Sequence, residues 1–143
     1  MRDVFVDPSV LLLAIGGEHP LKASSRDLLS AAARSELRLH LSVEGGQEFL
    51  FHRTRRVGAA AAAREFDALD TSVVWHDFTI DVLRVARDLV ARGDVRGRDA
   101  VHAATAMGAG FAAIVSADSD FDGIPGLARH DPASGELRRP RGA

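Results

Sequence analysis

Carboxylates follow the apolar runs of this 143-residue chain at several points. Asp7 comes directly after the run VFV, and Asp118 and Asp120 follow the run AAIVS. If these runs are parallel strands, their carboxyl ends meet at one edge of a sheet, where ligands bind. Carboxylates brought together there repel one another unless some are protonated or a cation neutralises them. The pattern therefore indicates a cluster of acids that binds a cation.

Three further acids lie near the predicted strand ends. Asp99, in RGRDAVHAA, falls in the first turn of the helix that leads into AAIVS. Glu44 and Glu48 follow the alternating segment LRLHLS and, being four residues apart, share one face of a helix. The chain has no cysteine and no histidine pair at metal-binding spacing. We therefore expect oxygen ligands and a hard cation, Mg²⁺ or Mn²⁺.

A hard cation held by carboxylates points to a particular chemistry. It can activate water and neutralise a phosphodiester in its transition state. The residues alone thus predict phosphoryl chemistry of a hydrolytic kind.

Each acid also has a purely structural interpretation. An aspartate before Pro8 is a good N-cap, so Asp7 could close a helix and still offer lone pairs to a ligand. Asp99 could be a first-turn acid that the helix dipole favours. Glu44 and Glu48 could belong to a solvated helix face. The joint placement of the acids, rather than any single one, favours a functional site.

The elements that must position these acids alternate between strands and helices. Buried strands are predicted in four short segments that are apolar or alternate in polarity: 4–6, 37–42, 72–78 and 112–116. Helices are predicted where apolar residues recur at helical spacing or alanine dominates: 9–15, 21–36, 43–56, 58–69, 80–90 and 98–107. Segment 118–126 is predicted to be a loop or a short helix. The order indicates one three-layer α/β domain over 1–143, with a mostly parallel sheet and a loosely ordered polar tail at 130–143.

The composition excludes several classes of protein. It is 46% hydrophobic and 27% charged, as in soluble globular proteins, and the net charge of −2 provides no global field for nucleic acid or membrane. The absence of cysteine removes disulfides, thiolate zinc sites and cysteine nucleophiles. The start of the chain has early acids and no long apolar stretch, so we expect a cytoplasmic protein without a membrane partner.

The order of four motifs resembles the PIN domain, in particular the VapC toxins of type II toxin–antitoxin systems. These motifs are VDxSVLL, then QEFL after a strand, then RDAVHAA, then VSADSDF followed by GIPGL, and they span Val4 to about Leu127. The resemblance implies a three-layer PIN-like fold and an endoribonuclease that depends on Mg²⁺ or Mn²⁺. It also implies a homodimer, a cognate antitoxin protein, and an RNA substrate such as tRNA or another structured RNA.

The resemblance also assigns roles to particular residues. The acidic quartet of the family matches Asp7, Glu48, Asp99 and Asp118, with Asp120 as an auxiliary acid. Glu48 is preferred over Glu44 because the glutamate of the family stands in a QEF-like context, six residues after the serine at the strand end.

Three small or restricted residues accompany the quartet. Ser9 and Ser116 match positions where Ser, Thr or Asn supports the site. Pro8 is a departure, since the family usually has Thr, Ala or Ser there. Proline removes a backbone donor but suits the first position of a helix, so we expect the geometry of Asp7 to be preserved.

Two other features have alternative interpretations. The basic segment that contains Arg53, Arg55 and Arg56 could contact an RNA backbone or form a solvated helix face. His102, three residues after Asp99, could donate a hydrogen bond to the site or simply pack between helices.

Two further function classes are weighed against the ribonuclease. A PIN-fold protein could bind RNA or a partner without cutting, although the intact set of acids argues against this. An aspartate-based phosphotransfer domain needs a lysine late in the chain, whereas Lys22 is the only lysine.

Overall fold

The computed structural model describes residues 1–134 and 137, and within them the chain alternates between strands and helices. The strands are β1 (Arg2–Phe5), β2 (Leu37–Ser42), β3 (Val73–His76), β4 (Ala113–Val115) and β5 (Ala128–His130). The helices are α1 (Pro8–Ile15), α2 (Lys22–Ala33), α3 (Val43–Val57), α4 (Ala59–Asp70), α5 (Ile80–Ala91) and α6 (Gly97–Gly108). A 3₁₀ turn at Ser119–Phe121 is the short helix allowed for in 118–126.

All strand pairs in the described residues are parallel. β1 pairs with β2 and β2 with β3, while β4 pairs with β5. A bridge between Val6 and Val115 and a 2.9 Å hydrogen bond from the Asp7 amide to the Val115 carbonyl join the two parts. The strand order is therefore β3-β2-β1-β4-β5, and the direction of winding reverses between β1 and β4. The predicted parallel sheet is confirmed.

β5 was not predicted from the sequence. Ala128, Arg129 and His130 lack an apolar or alternating pattern, and the strand forms because its backbone pairs with β4. His130, where the predicted tail begins, is the last residue of β5 and pairs with Val115. The rest of that tail, apart from 131–134 and 137, lies outside the described residues.

The helices begin and end close to the predicted residues, with one clear exception. The helix predicted over 21–36 ends at Ala33, because Ser35 adopts a left-handed conformation with φ of 61° and turns the chain into β2. None of the described helices is both long enough and apolar enough to cross a membrane. The longest of them, α3, has 15 residues.

Helices cover both faces of the sheet, and alternation along β1 divides the core between them. Phe5 packs with Leu89 of α5 and Ala103 of α6 on one face. Val4 and Val6, the flanking residues of Phe5, pack with Leu11 of α1 and Leu39 of β2 on the other. The expected three-layer architecture is confirmed, and it buries every residue from Val4 to Pro8.

Two glycines allow α3 to lie close against the sheet. Ser42, the last residue of β2, caps α3 by accepting a 2.9 Å hydrogen bond from the Gly45 amide. A Cβ atom at Gly46 would lie only 2.6 Å from the ring of Trp75 in β3. Because Gly45 and Gly46 have no side chains, the first turn of α3 can lie close to the sheet, and this determines where the rest of the helix lies.

We predict that Gly46→Ala destabilises the protein by about 1–3 kcal/mol, because the new methyl group would overpack against the Trp75 ring. Gly108→Ala is the matched control, since a Cβ at this helical glycine meets nothing within 4 Å. The free energy of unfolding in urea measures both changes. Equal stability of the two variants would show that close packing at Gly46 does not position α3.

Candidate active site

Asp7 lies at the point of the sheet where the winding direction reverses, which is where parallel α/β sheets bind ligands. Its side chain caps α1 and accepts hydrogen bonds on Oδ2 from the Ser9 amide at 3.3 Å and the Ser116 hydroxyl at 3.0 Å. Pro8 occupies the first position of the helix. Only 4% of Asp7 is exposed, and this burial raises the pKa of its carboxyl, against the lowering effect of its hydrogen bonds. The capping role of Asp7 is therefore compatible with the predicted ligand role.

Ser116 connects Asp7 to the acids that follow β4. Its hydroxyl donates to Asp7 and accepts a 3.0 Å hydrogen bond from the Asp118 amide. The Asp118 carboxylate in turn accepts from the Asp120 amide at 2.9 Å and so begins the 3₁₀ turn. Ser9 Oγ lies 3.5 Å from Ser116 Oγ. Both serines that were expected to support the site therefore lie between its acids.

Asp99 lies in the first turn of α6 and faces the other acids. Its pKa is raised to about 6, first by burial and then by the negative charges of Asp7 and Asp118, with a smaller contribution from Glu48. Carboxylates that raise one another's pKa in this way lie near one another in the fold. The sequence-predicted quartet is thus brought together by elements far apart in the chain.

Glu48 projects from α3 toward the same pocket and is held by His102 and Arg98. Its carboxylate receives a hydrogen bond from His102 Nε2 at 3.3 Å, and Arg98 Nη1 lies 3.6 Å away. The hydrogen bond from His102 is the main cause that lowers the pKa of Glu48, with Arg98 and His52 adding charge. The two carboxyls thus differ in environment, since the pKa of Glu48 is lowered whereas that of Asp99 is raised.

His102 links Glu48 to the start of α3. The side chain is 1% exposed, and its Nδ1 lies 2.8 Å from Ser42 Oγ. An ionised Glu48 can only accept, so Nε2 carries the proton and Nδ1 accepts from the Ser42 hydroxyl. Of the two interpretations left open for His102, the geometry favours a donor to the site. Its spacing of three residues from Asp99 was the available sequence signal.

Of the other residues considered for the site, Asp120 lies near the quartet, whereas Glu44 and Arg53 do not contact it. Asp120 lies with Asp99 and Asp118, since one carboxylate oxygen from each falls within 4.8 Å of the others. No contact among the described residues joins Glu44 to these acids. Arg53 is buried and pairs with Glu65 at 2.6 Å, so its guanidinium is not presented to RNA.

Arg55 and Arg56, the other two arginines proposed as RNA contacts, are exposed on α3. Arg55 lies over the ring of Phe51, with 5.6 Å from the guanidinium carbon to the ring centre. These two residues keep their predicted role as candidates for RNA contact.

The donor atoms of the pocket suit a divalent cation. They form two groups whose ligand atoms lie within 4.8 Å of one another: Asp7, Glu48 and His102, and Asp99, Asp118 and Asp120. Carboxylates that repel one another in a half-buried pocket are the ligands that a hard cation stabilises. His102 falls within this distance, but its Nε2 donates to Glu48 and its Nδ1 accepts from Ser42. The atoms free to bind a cation in this arrangement are therefore carboxylate oxygens, the ligand type expected from the sequence.

These features define the class: a parallel α/β domain with an acidic pocket at the reversal point of its sheet. Residues 4–127 match the PIN domain family. The chain belongs to the PIN domain family, as its sequence motifs indicated.

Comparisons with individual proteins agree with this assignment. The chain is 34% identical over 122 residues to ribonuclease VapC7 of Mycobacterium tuberculosis, which covers 82% of this chain and 83% of the relative. The VapBC2 complex of Rickettsia felis, solved with a promoter DNA fragment, aligns with a TM-score of 0.70 at 15% identity, over 91% of this chain and 98% of that one. VapC20 of M. tuberculosis, described as a sarcin-ricin loop cleaving toxin, aligns with a TM-score of 0.66 at 22% identity, over 82% and 92%.

We predict that Asp99→Asn stabilises the metal-free protein at pH 7.5 by about 1–2 kcal/mol, a value reduced for the solvent screening of a half-buried group. The folded state raises the pKa of Asp99 from 3.8 to about 6. Its contribution to stability is therefore complete below pH 4 and is lost as the pH rises through 6. Asparagine at position 99 does not ionise, so the variant does not lose stability as the pH rises through 6.

Urea unfolding between pH 4 and 8 in EDTA measures this effect, and Asp67→Asn, an exposed residue of α4, is the control. Parallel pH profiles for the wild type and Asp99→Asn would contradict the repulsion within the pocket. Adding Mg²⁺ at pH 7.5 is expected to stabilise the wild type more than the variant, because the cation binds the folded state.

Proposed function

We propose that the protein is an endoribonuclease toxin of a toxin–antitoxin pair and that it hydrolyses RNA phosphodiester bonds with Mg²⁺ or Mn²⁺. The observation that carries the proposal is the convergence of Asp7, Glu48, Asp99 and Asp118 in one pocket of a PIN domain. The 34% identity to a ribonuclease of the VapC group supports cleavage of RNA rather than binding alone. We further propose that a single PIN domain accounts for residues 1–143.

The chain's own residues prepare the pocket for this reaction. Ser9 and Ser116 hold Asp7, and His102 holds Glu48, so these carboxylates keep their orientation while ligands exchange. A bound divalent cation would supply charge neutralisation at the phosphodiester and activation of the attacking water. Asp99 and Asp118 form a second group of ligand atoms together with the exposed Asp120.

The proposal includes partners of defined kinds. Several structural neighbours are toxins solved with antitoxins, among them VapBC complexes from Salmonella typhimurium and nontypeable Haemophilus influenzae. By analogy we propose a small cognate antitoxin that covers the acidic pocket, a homodimer, and tRNA or another structured RNA as substrate. The cytoplasm, where RNA and antitoxin meet, is the proposed location.

Two alternatives receive less support. The phosphotransfer class needs a lysine at the pocket, but Lys22 lies after α1 and donates a 2.7 Å hydrogen bond to the Gly16 carbonyl. A non-cleaving PIN domain would not require four acids with a raised pKa at Asp99. Pro8, the departure from the family pattern, occupies the first position of α1, and the neighbouring Asp7 keeps its hydrogen bonds from Ser9 and Ser116.

We predict that Asp7→Asn, Asp99→Asn and Glu48→Gln each reduce RNA cleavage by about a hundredfold or more, because each removes a charge from the cation site. Glu44→Gln, which makes the same amide change four residues away, is expected to retain activity. Cleavage of tRNA transcripts by the purified protein measures the rates, and sequencing of RNA 5′ ends after expression identifies the substrate.

Chelation tests the role of the cation separately. EDTA is expected to stop cleavage, and excess Mg²⁺ or Mn²⁺ to restore it. Cleavage that survives exhaustive chelation would refute the metal mechanism, whereas RNA binding without cleavage by the wild type would favour the non-cleaving alternative.

A further inference from the structure

Arg98 lies at the mouth of the acidic pocket, next to Asp99 in the first turn of α6. Its side chain is 55% exposed, and its Nη1 lies 3.6 Å from Oε1 of Glu48. At this distance the two side chains form an ion pair but not a hydrogen bond. Among the described residues the Arg98 guanidinium forms no hydrogen bond, so its donors remain available to a ligand.

Two other arginines, Arg129 and Arg53, form hydrogen bonds within the protein. Arg129 donates to both carboxylate oxygens of Asp122 and to the Ser116 carbonyl, and it is 18% exposed. Arg53 makes two hydrogen bonds to Glu65. Arg98 differs from both because its single contact is long and solvated.

Arg98 can leave Glu48 for another anion with little loss of protein stability. An ion pair with a solvent-exposed partner contributes little to stability, so little opposes the departure of Arg98 from Glu48. Glu48 keeps its hydrogen bond from His102 when the guanidinium leaves. His52, one turn after Glu48 on α3, also contributes positive charge on this carboxylate.

A polyanionic strand that approaches four carboxylates meets strong repulsion at the pocket mouth. An arginine there offsets this repulsion, since its planar guanidinium binds a phosphate through two parallel hydrogen bonds. We propose that Arg98 binds a backbone phosphate of the RNA strand beside the bond to be cleaved, exchanging Glu48 for that phosphate. This inference rests on the proposed function. It adds Arg98 as a residue that contacts the substrate, besides the four acids.

Equilibrium binding to a 5′-fluorescein-labelled single-stranded RNA 20-mer tests the inference, with fluorescence anisotropy measured between 50 and 300 mM KCl. All variants carry Asp99→Asn, which prevents cleavage during the measurement. Arg98→Gln removes the charge, Arg98→Lys keeps it, and Arg87→Gln is the matched control. Arg87 is an exposed arginine of α5 that pairs with Asp88 at 3.1 Å.

Arg98→Gln is expected to weaken binding about fivefold and to reduce the slope of log K against log salt by about 0.7, the value for one phosphate contact with a single strand. Arg98→Lys should keep the slope, and Arg87→Gln should leave affinity and slope unchanged. An unchanged slope in Arg98→Gln would overturn the inference and assign Arg98 to holding Glu48.

Failure of the proposed function would be distinct from failure of this inference. If the wild type cleaves RNA but Arg98→Gln binds with unaltered salt dependence, the inference alone is wrong. If the wild type neither binds nor cleaves RNA, the proposed function is wrong and the inference with it. Urea unfolding of each variant verifies that a loss of binding does not arise from unfolding.

Discussion

Mutual repulsion among four carboxylates in one half-buried pocket is the constraint on which the rest of this structure depends. The pKa of Asp99 is raised first by burial and then by the negative charges of Asp7, Asp118 and Glu48, which is the effect expected of such a cluster. Buried like charges are costly unless they are protonated or paired. The chain tolerates this cost at the reversal point of its sheet, where Asp7 and Asp118 follow adjacent strands.

The surrounding polar residues orient the acids without neutralising them. Ser116 donates to Asp7 and accepts from the Asp118 amide. One hydroxyl therefore fixes the position of Asp7, after β1, relative to Asp118, after β4. Ser42 and His102 form the corresponding link between β2, α6 and Glu48. Gly45 and Gly46 permit this link by letting α3 approach the sheet. A cation can then enter a ligand set that is already arranged, which is how preorganised sites limit the cost of binding.

Much of this arrangement could be predicted from the sequence because it depends on local patterns. Asp7 and Asp118 follow recognisable strands, Asp99 begins a helix, and Pro8 suits the first helical position, so their places follow from strand and helix boundaries. The burial of Arg53 could not be foreseen, since its partner Glu65 lies on another helix. The strand β5 and the contact between His102 and Ser42 likewise arise from residues far apart in the chain. Long-range pairing, rather than local propensity, determines all three.

Diffraction from a crystal soaked in Mn²⁺, with the anomalous signal of manganese recorded, tests the central claim most directly. The account predicts a strong anomalous peak among Asp7, Asp99 and Asp118, with Glu48 or a water it holds completing the coordination. Asp99→Asn crystals soaked in the same way should show a weaker peak or none. A pocket that stays without a peak at saturating Mn²⁺, or a peak bound elsewhere, would contradict the claim that these acids converge to hold a cation.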